Sequence, residues 1–202
     1  MTRTDLRVAP AAPESLQARR RGVWTWSAAA GIATAALTLL AGILGENSTQ
    51  WALRWAGLAG VGIAIAVIDG RQRRIPDRLT IPTLTALLTS YAFAIAPDSA
   101  GMMLALGTAG AAAAGAVFFA LAFIGGMGLG DVKLAALIGA AIVPAFGWPT
   151  LLAALIAAFL LGFPHALLRV IRPRRDTHMP FGPYLVAGAA AVALTIHLAP
   201  LV

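Results

Sequence analysis

The chain has 202 residues, 59% of them hydrophobic and only 11% charged, with a mean hydropathy of +0.83, a composition that excludes an ordinary soluble domain and identifies a membrane protein. The absence of cysteine excludes disulfide frameworks, thiol nucleophiles and Cys-ligated zinc. The formal charge of +7 sits in short arginine clusters between apolar runs, where it reports membrane topology rather than nucleic-acid binding.

In chain order, residues 1–25 are polar, contain Pro10 and Pro13, and end close behind Arg19-Arg20-Arg21, so they read as a cytoplasmic tail rather than a cleavable signal. Residues 26–50 hold an extra N-terminal span, Trp26 to Leu44, and its loop; residues 51–202 read as a six-helix core. The core spans are Trp51 to Ile68, Ile81 to Ala96, Gly101 to Ile124, Val132 to Gly147, Pro149 to Arg169 and Phe181 to Leu201. The expected fold is therefore an all-α polytopic transmembrane bundle of about seven helices. Its third and fifth helices are short, about 24 Å against roughly 30 Å of hydrocarbon, so neighbours or local bilayer thinning must shelter their ends.

Alternating the spans collects the cations on one side. Arg3, Arg7 and Arg19 to Arg21 precede the first; Arg71, Arg73, Arg74 and Arg78 follow the second; Lys133 follows the fourth; Arg169, Arg172, Arg174 and Arg175 follow the sixth. Arg54 alone falls toward the other face. The positive-inside rule makes the crowded side cytoplasmic, with the N-terminus there and the C-terminus outside. Asp69, Asp131 and the turn His178-Met179-Pro180-Phe181 share the cytoplasmic edge.

Two lone carboxylates then stand out. Asp69 closes the apolar run from Gly60 to Ile68, and Asp131 lies in Gly128-Leu129-Gly130-Asp131-Val132-Lys133 ahead of a second apolar run. An acid at such a depth costs about 2.5 to 3.5 kcal/mol on insertion scales, which makes it a functional candidate. Two carboxylates sharing a proton can activate water: one takes the water's proton while the other polarises a peptide carbonyl. Gly125, Gly126, Gly128 and Gly130 would let the loop turn sharply and approach a substrate strand. Metal and serine chemistry are poorly supplied, because His165, His178 and His197 are scattered and neither His-Glu-x-x-His nor Gly-x-Ser-x-Gly occurs. No metal or cofactor is expected.

Each residue also has a structural reading. Asp131 suits a helix N-cap, and Asp69 an interfacial pairing with Arg71 or Arg73; Asp77, after Pro76, suits a cap. Lys133 suits snorkelling to the interface, with a secondary role steadying the Asp131 loop, and His165 suits a helix-helix contact. The competing functional class is a proton-coupled small transporter or a noncatalytic scaffold. Acids at helix ends, rather than at the midplane, favour the hydrolase.

Ile68-Asp69 with Arg74-Ile75-Pro76-Asp77-Arg78-Leu79-Thr80, then Gly128 to Leu134, then Pro180-Phe181-Gly182-Pro183, resembles the type IV prepilin peptidases, which are GxGD aspartic membrane proteases. The resemblance runs from Trp51 to the end of the chain. It implies catalytic roles for Asp69 and Asp131, and site-shaping or substrate-binding roles for Gly128, Gly130, Lys133, Pro180, Phe181, Gly182 and Pro183. It also implies removal of short basic leaders, typically after a glycine, from type IV prepilin or pseudopilin precursors at the cytoplasmic face of the bacterial inner membrane. Larger members carry a cytoplasmic domain, often with paired cysteines, and methylate the new pilin N-terminus with S-adenosylmethionine. This chain has no cysteine and is more similar to the short, peptidase-only members serving Flp or Tad-type pili. Prepilin-like precursors and membrane lipid, not nucleic acid, are the expected partners.

Overall fold

Hydrocarbon offers no water to satisfy backbone N–H and C=O groups, so an apolar chain of this kind must satisfy them within helices. The computed structural model describes residues 48–92, 97–124, 127–171 and 179–198, and all regular structure among them is helical. Helices α1 (Ser48–Gln72), α2 (Asp77–Ala92), α3 (Pro97–Phe123), α4 (Leu129–Phe146), α5 (Trp148–Ile171) and α6 (Gly182–Leu198) follow one another in the chain. Three stretches, Ser99–Phe123, Leu129–Phe146 and Trp148–Arg169, are long and apolar enough to cross a membrane. The expected tail of residues 1–25 and the expected first span, Trp26 to Leu44, lie outside the described residues, as do Gly125, Gly126 and His178.

Helix α4 is the centre of the bundle and packs against α2, α3, α5 and α6. Of its spanning window 56% is buried, against 22% for each of the other two; this is the shelter that its short length demands. The surrounding helices turn small residues inward. On α3 the buried stripe is Gly107, Gly110, Ala114 and Phe118, and on α5 it is Leu151, Ala154, Ala158 and Gly162. Large apolar side chains such as Phe119, Phe123, Leu160 and Phe163 point outward. Lipid is as apolar as leucine, so close backbone approach rather than apolar burial holds such helices together. Closest are Gly110 of α3 and Gly139 of α4, where a Cβ on either would run into the carbonyl of the other.

The inward stripe of α1 is Arg54, Gly57, Val61, Ile65 and Asp69, at the three- and four-residue steps of one helix face. Asp69 is thus the last member of a buried row. Arg73, in the left-handed region at φ 51°, stops the helix and donates its N–H to the Asp69 carbonyl at 2.7 Å. At the other end Arg54 is 3% exposed, with its guanidinium 5.6 Å from the centre of the Tyr91 ring, while the Tyr91 hydroxyl donates to the Ala140 carbonyl at 3.2 Å. The far-face arginine is therefore packed inside the bundle.

Two helices beside the candidate acids, α2 and α4, start earlier than expected. Helix α2 begins at Asp77 instead of Ile81, because the Pro76 carbonyl accepts the N–H groups of Leu79 and Thr80 and opens the helix ahead of the apolar run. Its threonines satisfy their hydroxyls on the preceding turn, Thr83 on Leu79, Thr85 on Ile81 and Thr89 on Thr85, at 2.6 to 2.7 Å. Helix α4 begins at Leu129 instead of Val132, so Gly130 and Asp131 are helical rather than part of a turning loop. Gly128 has φ −80°, which any residue adopts.

The Gly110–Gly139 contact has a measurable consequence. Gly139→Ala should destabilise the protein in detergent by about 1–3 kcal/mol, the usual range for an overpacked site with no flexible atom to yield. Gly60→Ala, where a Cβ would meet nothing within 4 Å, should leave the unfolding midpoint unchanged or raise it. Equal midpoints for the two variants would contradict this packing.

Candidate active site

The motif Pro180-Phe181-Gly182-Pro183 forms the start of α6. The Phe181 carbonyl accepts the N–H of Tyr184 at 3.0 Å and of Leu185 at 3.1 Å. Pro183 has no N–H, so the first turn has one uncommitted amide to offer, that of Gly182. It donates to Asp69 Oδ2 at 2.9 Å in a buried contact. A Cβ on residue 182 would lie 2.8 Å from that same oxygen and 3.3 Å from the Asp69 Cβ and Cγ. Only glycine lets the carboxylate reach the amide. Asp69 is 4% exposed, so it is not the solvated interfacial acid of the structural reading.

Asp131 occupies the third position of α4, with Gly128 as the N-cap. The two residues exchange bonds: Gly128 N–H donates to Asp131 Oδ2 at 3.2 Å, and Asp131 N–H donates to the Gly128 carbonyl at 3.0 Å. Asp131 is 7% exposed. Both carboxylates thus sit at helix N-termini, where unpaired N–H groups and the helix dipole favour an anion. Gly130 also has a packing use. A Cβ there would lie 2.9 Å from the Ile75 Cβ, so its small size lets α4 pack against the loop that follows Asp69.

Asp69 and Asp131 line one open cavity of about 910 Å³. Its walls come from the Arg73 to Arg78 loop, from Gly128, Leu129, Gly130 and Lys133, and from Met179 and Phe181. The two carboxylates reach this cavity from different helices, α1 and α4. Lys133 Nζ meets Asp77 Oδ1 at 2.6 Å, with the two side chains 39% and 57% exposed. So solvated a pair is worth little to stability, but it ties α4 to the start of α2 across the cavity wall.

Of the residues singled out from sequence, Asp69, Asp131, Gly128, Gly130, Lys133 and Phe181 line the cavity, and Gly182 joins through its amide. Pro180 and Pro183 are half-buried beside it and do not line it. Asp77 is the first residue of α2, and its side chain meets Lys133 and lines the cavity. Lys133, two residues beyond Asp131 on α4, donates to Asp77. His165 is a helix-helix contact, 2.6 Å from the Tyr184 hydroxyl. Arg73, Arg74 and Arg78, which mark topology in the sequence, line the cavity too, as do Ile75 and Met179. An isoleucine within a cationic loop was the available sign that this loop packs inward. Among the described residues no three His, Asp or Glu side chains gather as metal ligands would.

The type IV leader peptidase family matches residues 56–167, a span that holds both Asp69 and Asp131 and stops before Phe181. The chain is 33% identical over 166 residues to a prepilin leader peptidase/N-methyltransferase of Dickeya chrysanthemi, covering 78% of this chain and 56% of that protein. It is 31% identical over 150 residues to one from Burkholderia pseudomallei, covering 69% and 45%, and 34% identical over 137 residues to one from Pseudomonas putida, covering 64% and 46%. The chain therefore spans about half the length of the curated relatives it matches. No solved structure matches it significantly. With both acids inside the matched span, the chain belongs to the type IV leader peptidase family.

Proposed function

We propose that the chain is a membrane aspartic endopeptidase that removes the leader from type IV prepilin-like precursors, with Asp69 and Asp131 as its catalytic pair. One observation carries this reading: two acids from different helices line the same open cavity, each with one oxygen on a backbone amide. An amide orients a carboxylate without supplying the fixed positive charge that would lock it in its ionised form. The second oxygens remain for chemistry. The ionised member takes a proton from a water, the protonated member donates to the carbonyl oxygen of the scissile peptide, and the attacking oxygen forms the tetrahedral intermediate. Its collapse returns the proton to the leaving nitrogen. The single proton belongs to the pair rather than to either residue.

The substrate follows from the position of the cavity. It lies where α1 ends and α2, α4 and α6 begin, the end that carries Arg71 to Arg78 and Lys133, and this supports a cytoplasmic site in the inner membrane. A precursor whose apolar helix lies in the bilayer presents its leader junction at that level. The names of the curated relatives support prepilins as the substrates. We extend the topology to seven passes, with residues 1–25 as the tail, the span of residues 26–44 and its loop completing the segment to residue 50, and the six-helix peptidase core at 51–202. Acids within a turn or so of their helix ends, rather than mid-bilayer, weigh against a transporter.

Asp69→Asn and Asp131→Asn should each lower precursor cleavage about 100- to 10,000-fold, the usual share of a positioned acid or base, while the protein still inserts. A gel-shift assay with co-expressed precursor reads this, and full activity in either variant would refute the assignment. Gly182→Ala should lower kcat by about 10- to 100-fold, since it displaces the Asp69 carboxylate. Gly70→Ala, with nothing within 4 Å of its added Cβ, is the matched control and should cleave as the wild type does.

A further inference from the structure

The seam between α5 and α6 holds a polar cluster that peptide hydrolysis does not itself use. His165 Nδ1 lies 2.6 Å from Tyr184 Oη, and Arg169 Nε donates to His165 Nε2 at 3.2 Å. Arginine carries donors only, so Nε2 is an acceptor; the neutral ring then bears its hydrogen on Nδ1 and donates it to the Tyr184 hydroxyl. The tyrosine is held from a second side as well. A Cβ on Gly162, three residues before His165 on α5, would lie 3.5 Å from the Tyr184 ring and 3.0 Å from the Phe181 ring. Phe181 in turn packs in tilted fashion against Phe118 and Phe159, at ring separations of 6.2 and 5.1 Å. The first turn of α6 is therefore fixed on its α5 side by one hydrogen bond and a set of aromatic contacts.

We infer that His165 and Tyr184 are positioning residues for Asp69. Tyr184 lies two residues beyond Gly182 in the same helical turn, and its N–H closes that turn on the Phe181 carbonyl at 3.0 Å. The Gly182 amide, 2.9 Å from Asp69 Oδ2, is the one donor this turn offers. A slide or rotation of the turn that lengthens the His165–Tyr184 bond carries that amide with it. Asp69 is close-packed against Gly182, so a displaced amide changes the orientation of the carboxylate it holds. The clamp thus sets the orientation of a carboxylate on a different helix, through three contacts and without touching substrate. The inference rests on the assignment of Asp69 as a catalytic residue.

The test uses the full chain in liposomes and a precursor peptide with a basic leader and an apolar helix. Tyr184→Phe keeps the ring and removes the hydroxyl; kcat should fall about tenfold while KM stays within about twofold, because geometry at the reacting groups changes and substrate contacts do not. His165→Asn, whose amide N–H falls near the Nδ1 position, should retain most of kcat. His165→Gln, whose amide reaches the Nε2 position instead, should fall with Tyr184→Phe, and the double variant His165→Gln/Tyr184→Phe should fall no further than either single one. Wild-type kcat in Tyr184→Phe, equal losses in the two His165 variants, additive losses in the double variant, or a loss confined to KM or to the folded fraction would each overturn the inference. Asp69→Asn separates the two levels. If it abolishes cleavage while Tyr184→Phe is unaffected, only the clamp falls; if it cleaves normally, the assignment of Asp69 falls and the clamp with it.

Discussion

A carboxylate enclosed in an apolar bundle must find hydrogen-bond donors, and the kind of donor decides what the acid can do. A guanidinium would satisfy it and hold it ionised. In this chain both Asp69 and Asp131 take a backbone amide at the start of a helix, from Gly182 of α6 and from Gly128 before α4. Such amides fix direction and lend partial positive charge while leaving the proton free to come and go. Much of the architecture follows. The last helix must begin beside the end of the first, residue 182 must lack a side chain, and Pro183 must leave Gly182 as the only uncommitted amide of its turn. The central helix must come close enough to the Arg73 to Arg78 loop for Gly130 to pack on Ile75.

The rest of the bundle supplies rigidity by means suited to lipid. Small residues on α3 and α5 let the outer helices approach the central ones, as at Gly110 and Gly139 and where Gly188 lies against the backbone of Ala154 and Ala158. Bulky side chains go outward, where the bilayer covers them. Several polar groups inside are matched: threonine hydroxyls on the preceding turn of α2, Tyr91 on the Ala140 carbonyl, and His165 on the Tyr184 hydroxyl. The site opens where α1 ends and α2, α4 and α6 begin, so four helix termini can contribute to one cavity without interrupting any span.

The helical class, most of the helices and both acids were legible in the sequence, because each rests on a local signal. Long charge-free runs mark the helices, and an isolated carboxylate beside such a run is conspicuous. Other features were not. The early start of α4 is one, because Gly128-Leu129-Gly130 reads as a flexible loop; Gly130 serves close approach to Ile75, and which residue approaches is a tertiary fact. The arginines from Arg73 to Arg78 satisfied the topology rule so well that their second place, along the cavity, left no separate mark. Pro180 and Pro183 were grouped with the site through their motif, whereas the structure sets them beside the cavity and gives the contact to the glycine between them. Tyr184 carried no signal, since a tyrosine at the start of a membrane helix ordinarily marks the interface.

The central claim is the convergence of Asp69 and Asp131, and the lack of any cysteine makes it directly measurable. In the double variant Asp69→Cys/Asp131→Cys, a short bifunctional thiol reagent should join the two positions in the membrane. The fragments would then stay linked after the chain is cut between α2 and α3, as they should in the control Asp77→Cys/Lys133→Cys, where the native side chains meet at 2.6 Å. Efficient linkage of the control pair with none between positions 69 and 131 would contradict the account.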